Sequence, residues 1–140
     1  MKQFLLLVLM LAVPAFASPT ALTVQVASET AASLNEQSCD SVNGNYVPNT
    51  NGDVALVLYN SDNSNSATVT VTAQKTTFTN VKGYGPLTKS SLAVSLATGA
   101  RKIVGPFPAG AWNDSNGRVQ LTFSGSGASS VKVAPIRVPR

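Results

Sequence analysis

Asp53-Val-Ala-Leu-Val-Leu-Tyr59 and Ala67-Thr-Val-Thr-Val-Thr-Ala73, separated by the polar loop Asn60 to Ser66, are the two stretches that decide the fold. The first is apolar at nearly every position, which suits a central strand covered on both faces. The second alternates, with Val69 and Val71 on one side and threonines on the other, the pattern of a half-exposed strand. A loop made only of Asn, Ser and Asp joins them, so the pair reads as a hairpin or as a crossing between two sheets.

Working outward, Asn51-Gly52 sits in the turn cluster Asn49–Asp53, where tight turns demand positive φ angles. Downstream, Gln74 to Ser90 mixes Gly83, Gly85 and Pro86 with Phe78, Val81, Tyr84 and Leu87 and reads as an irregular excursion with a few inward anchors. Leu92, Val94 and Leu96 alternate in a further strand, Ala97–Ala100 turns the chain, and Arg101 to Phe107 continues as a strand whose end Pro106 places at an edge or bulge. Pro108 to Gly117 is a loop carrying Trp112. Val119, Leu121 and Phe123 then alternate, and a Gly-Ser turn leads into Val131–Val138, so the last two strands read as a hairpin. The expected fold is all-β: an antiparallel β-sandwich or jelly-roll-like barrel of seven or eight short strands.

Upstream, Leu22–Val26 alternates as a strand, and Ala27 to Asn45 is small and polar, an arm or long loop with room for a short helical turn near Thr30–Glu36. Residues 18–45 are thus expected as a polar strand and arm, with 46–140 as the sandwich domain. Lys2 followed by the apolar run Phe4–Val13 and by Pro14-Ala15-Phe16-Ala17 has the pattern of a secretory signal, predicting a leader over 1–17 cleaved after Ala17. Ten apolar residues are too few for a stable membrane span, which takes about twenty.

The chemistry expected of an enzyme is sparse. Among 140 residues there is no His, and the six carboxylates, Glu29, Glu36, Asp40, Asp53, Asp62 and Asp114, lie far apart on mostly polar turns. No catalytic residue, cofactor or metal site is expected: Asp62–Ser66 and Asn113–Asn116 lack the acidic spacing of calcium loops, and the glycines lack a nucleotide-site context. Cys39, the sole cysteine, has no His to activate it and reads as an incidental thiol. Ten Lys and Arg against six Asp and Glu give a net charge of +4, and apart from the adjacent Arg101-Lys102 the basic residues Lys75, Lys82, Lys89, Arg118, Lys132 and Arg137 are scattered singly, which argues against nucleic acid as a partner. Tyr46, Tyr84 and Trp112, aromatics outside the main strands, are the expected interface residues.

Four segments carry a resemblance: Asn51–Asn60, Ala67–Thr72, Val104-Gly-Pro-Phe-Pro108, and Trp112-Asn-Asp running to Gly117–Ser124. In that order and spacing they resemble tailed-phage capsid decoration (cement) proteins and related minor virion structural proteins, over most of the chain from about Ala21. The resemblance implies a β-rich component of the virion, on the capsid exterior, with the major capsid protein and itself as partners, commonly as a homotrimer. In that setting the arm over Ala27–Asn45 is expected to lie across a neighbour. The alternative is an exported bacterial adhesion or carbohydrate-binding β-sandwich, secreted or periplasmic after cleavage at Ala17, in which Tyr84 and Trp112 stack on a sugar.

Overall fold

The computed structural model describes residues 18–28, 33–81 and 85–137. The leader over 1–17 with its cleavage point, residues 29–32 of the arm, and Tyr84 lie outside the described residues. The elements are β1 (Thr20–Ala21), β2 (Gln25–Val26), β3 (Gln37–Ser38), β4 (Asn45–Pro48), β5 (Val54–Asn60), β6 (Ala67–Val71), β7 (Thr77–Val81), β8 (Gly85–Thr88), β9 (Leu92–Leu96), β10 (Arg101–Val104), a helical turn α1 (Ala109–Trp112), β11 (Arg118–Ser124), a 3-10 turn (Ala128–Ser130) and β12 (Val131–Arg137). No helix among the described residues is long and apolar enough to cross a membrane.

The strands form two open sheets and a separate ribbon, so the protein is a β-sandwich and not a closed barrel. One sheet runs β1-β4-β11-β6-β9, the other β10-β5-β12-β2 with β3 also on β12, and β7 pairs β8 alone. Among the described residues the strand pairings are antiparallel except the two short parallel ones, β1 with β4 and β2 with β12. Counted from β4 as first, the first sheet reads first, eighth, third, sixth, and the second sheet sets the second strand beside the seventh. That is the strand order of a jelly roll whose fourth and fifth strands stand apart as the ribbon and to which β12, the ninth, is added beside the second.

The apolar alternation read from the sequence is the core. Ala67, Val69 and Val71 of β6, Val119 and Leu121 of β11, and Val94 and Leu96 of β9 face Val54, Leu56 and Leu58 of β5 and Val131 and Val133 of β12, all buried. At the centre of the second sheet, Val57 and its cross-strand partner Ala134 are buried on the other face too, which is why β5 is apolar almost without interruption. The runs at 53–59, 67–73, 92–96, 101–107, 118–123 and 131–138 supply β5, β6, β9, β10, β11 and β12. Pro106 follows the end of β10, which is an edge strand.

Three expectations change. The loop after β5 takes the second of its two expected forms, a crossing between sheets, and the loop after β11 is a crossing and not the expected hairpin, because β5 and β12 lie in one sheet and β6 and β11 in the other. The wholly buried Asn60 makes the first crossing possible: its side-chain amide donates to the carbonyls of Asn65 (2.8 Å) and Ala97 (3.2 Å), and its oxygen accepts from the Asp62 N–H (3.1 Å). These bonds satisfy backbone groups that a hairpin ladder would otherwise pair. The excursion 74–90 contains the β7–β8 ribbon.

The third change concerns the N-terminal region. Leu22–Val26 is not one strand; β1 joins the first sheet, buried Leu22 turns into the core, and β2 joins the second. Residues 33–45 fold back on this chain, and 33–36 are not helical. The Gln37 side chain bonds the Thr23 backbone twice (2.8 Å each), Gln25 holds Ser33 and Asn35, and β3 pairs β12. A polar arm without apolar period is placed by such side-chain bonds and by the short β3–β12 pairing, whose partners lie within the chain. Residues 20–26 thereby close one lateral side of the sandwich, while on the other side β9 and β10 end their sheets.

Candidate functional site

The Val104-Gly-Pro-Phe-Pro108 turn leaves β10 and brings Phe107 under the end of the sandwich, where it is buried and its N–H donates to the Val54 carbonyl (3.2 Å). Gly105 has φ +113, and a Cβ there would stand 3.0 Å from Ala55 Cα and 3.1 Å from the Phe107 ring, so only glycine fits this approach. Gly52 meets the same region from β4, with φ +70 and the site of an added Cβ only 2.7 Å from the Ala109 nitrogen. Between them lies Asn49, wholly buried. Its amide donates to the Phe107 carbonyl (2.7 Å) and the Asn113 side-chain oxygen (2.8 Å), and its oxygen accepts from the Val54 N–H (3.1 Å). Asn113 returns a bond to the Asn49 carbonyl (2.8 Å).

This clamp fixes α1 and, on it, Trp112, whose ring meets Phe107 edge to face at 5.3 Å and 79°. The ribbon is anchored to the same turn: the N–H groups of Gln74 (3.0 Å) and Lys75 (3.1 Å) donate to the Ala111 carbonyl, and the Lys89 N–H donates to the Thr76 carbonyl (2.7 Å). Between ribbon and sandwich end lies a cleft of about 530 Å³, with Phe78, Leu92, Pro106, Phe107 and Trp112 as its apolar lining and Lys89 beside them. The Lys89 ammonium stands 4.3 Å from the Trp112 ring centroid, and that of Lys75 is 5.0 Å from the Phe78 ring, both at cation–π distance.

Of the aromatics expected at an interface, Trp112 is 6% exposed and forms the cleft floor. Tyr46 is half-buried on β4, with the Arg118 guanidinium 4.5 Å over its ring, and it does not line the cleft. Tyr84 lies outside the described residues. Sequence reasoning missed Lys89, which looks like an ordinary solvated lysine, and passed over Phe107, although its place between two prolines five residues before the only Trp was a usable clue.

Each described carboxylate is engaged in holding a turn or an edge. Asp40 accepts from the Asn43 and Val42 N–H groups and from Asn43 and Thr20 side chains, which hold its carboxyl well below the usual value, at about 2. Asp62 is lowered in the same way by the Ser64 and Asn65 N–H groups. At Asp114 partial burial acts upward, yet bonds from the Arg118 and Gln120 side chains and the Arg118 and Asn116 N–H groups outweigh it and keep the carboxyl at about 2. Asp53 pairs with Arg137 (3.0 Å), and Glu36 with Arg101, whose guanidinium also covers Tyr59. The Cys39 thiol donates to the Ala128 carbonyl (3.0 Å), and desolvation raises its pKa.

No protein-family model, curated protein or solved structure matches the chain.

Proposed function

We propose that this chain is a non-catalytic structural component of a virus particle, binding the capsid exterior and other copies of itself, as a homotrimer, through its sandwich surface. The observation that carries the reading is the asymmetry of the sandwich's two sides. One is closed by residues 20–26 pairing with both sheets, whereas the other leaves β9 and β10 as terminal strands, with Ile103 on β10 75% exposed. A terminal strand with an outward isoleucine invites strand addition or face-to-face contact, which a protein otherwise avoids. The resemblance of the 51–60, 67–72, 104–108 and 112–124 segments to decoration proteins points the same way. The engagement of the described carboxylates in turns and ion pairs agrees with a role in association.

The jelly-roll order is shared by capsid and lectin domains, so the fold favours neither over the other. The exported, sugar-binding alternative draws on the Phe4–Val13 run and on the aromatic cleft. For stacking on a sugar, however, Trp112 offers little free surface, being buried and faced by Lys89.

The test combines solution mass with binding to capsids that lack the protein. The reading expects a trimer, saturable capsid binding, and loss of both in Ile103→Lys with the thermal melt unchanged. A monomer that leaves capsids bare refutes it. The N-terminal mass separates the two settings: an intact Met1 in purified particles supports the virion, and a chain starting at Ser18 in the medium or periplasm supports export.

A further inference from the structure

The cleft beneath the ribbon has a composition that neither packing nor the virion role requires. Its volume of about 530 Å³ lies within the range of small-ligand sites. Its walls are apolar and partly aromatic, its rim carries an ammonium, and no carboxylate lines it among the described residues. Among the described residues, the ion pairs are Arg101–Glu36, Arg118–Asp114 and Arg137–Asp53; none includes Lys75 or Lys89. Both lysines lie over aromatic rings instead. An ammonium on a ring face keeps N–H groups that can bind an anion, and the ring supplies apolar surface beside that charge.

We infer that this cleft binds a small organic anion with an aromatic body on a short chain, of the arylalkanoate class. The apolar body lies against Phe78, Leu92 and Pro106, and its carboxylate accepts hydrogen bonds from Lys89 above Trp112. The complementarity is one of charge as well as shape: a neutral analogue of the same body retains the apolar contact but leaves the ammonium without its partner. Lys89 is well placed for selection, because its backbone N–H is fixed to Thr76 at the foot of the ribbon while its ammonium reaches Trp112. The inference stands apart from the virion role and survives if that role fails.

The experiment uses the full chain and a matched pair of probes, phenylbutyrate and phenylbutyramide, which differ in charge and share a body. Trp112 is the only tryptophan, so its fluorescence reports on the cleft floor, and calorimetry gives the affinity independently. Phenylbutyrate is expected to shift the Trp112 emission and to bind about tenfold more tightly than the amide, the strength of one charge-assisted bond. Lys89→Met is expected to bring the acid down to the affinity of the amide, leaving amide binding intact. Leu92→Glu, at a partly exposed position of the lining, is expected to abolish the preference for the acid by repulsion while the melt stays unchanged. The inference is overturned if phenylbutyrate does not bind, if acid and amide bind alike in the parent, if either variant keeps the preference, or if Lys89→Met loses the amide as well.

Discussion

Replacing Asn49 by Ala tests whether the end of the sandwich is held by one buried side chain. The substitution removes bonds to the Phe107 carbonyl, the Asn113 side chain and the Val54 N–H in a place without solvent access. Each buried polar group left without a partner costs about 1–3 kcal/mol. Three such losses, reduced by relaxation of Asn113, give about 3–5 kcal/mol, a large part of the roughly 5–15 kcal/mol available to a domain of this size. The assay is urea unfolding followed by Trp112 fluorescence, and the midpoint is expected to fall by roughly 2 M. Asn113→Ala, which removes the reciprocal bond to the Asn49 carbonyl, is expected to cost about 1–2 kcal/mol, and the double variant less than the sum because the two residues share a bond. The exposed Asn116→Ala is the control, with a change within about 0.5 kcal/mol. A loss below about 1 kcal/mol for Asn49→Ala refutes the argument that this amide holds the sandwich end.

Acid stability follows from Asp40 and Asp114, whose folded-state carboxyls stand at about 2. A lowered folded pKa means their contribution is complete above the unfolded value near 4 and is lost as the pH falls toward 2, so the melting temperature is expected to drop across about pH 4 to 2, and Asp114→Asn to flatten that drop. Gly105→Ala is expected to lower stability by about 1–3 kcal/mol through its positive φ and the crowding at Ala55, whereas Gly110→Ala, with nothing within 4 Å of an added Cβ, is expected to be neutral or slightly stabilising; paired thermal melts decide this. The Cys39 thiol, raised by desolvation, is expected to react with a disulfide reagent much more slowly than free glutathione in the native protein and to match it in urea; equal native rates refute the assignment.

The strands were legible because each carries its own record. Val69 and Val71 alternate with threonine, and Val54 to Leu58 are apolar without a break, so one sequence window is enough to identify a half-exposed strand and a central one. Turns were legible for the same local reason: Gly52 takes the positive φ that Asn51-Gly52 predicts. The cleft was hardly legible. Phe78 was marked among the inward anchors and Trp112 as an interface residue, but nothing near Lys89 in the chain announces that its ammonium will lie over a ring twenty-three residues away. Asn45, Asn49 and Asn60 read as loop residues because asparagine is common in turns, yet all are buried, at the ends of β4 and β5.

Composition and alternation by themselves determined an all-β fold, sandwich or barrel, the position of most of its strands, and the turns between them. Tertiary structure alone decided which sheet each strand joins, that residues 33–45 fold back on their own chain, and which side of the sandwich stays open. The physical reason is that a period of two encodes which face of a strand is covered. It does not encode whether the next strand pairs beside it at about 4.8 Å or packs across the core at about 10 Å. That choice rests on partners distant in sequence, such as Asn60 with Ala97 and Asn49 with Phe107, which come together only when both sheets are in place.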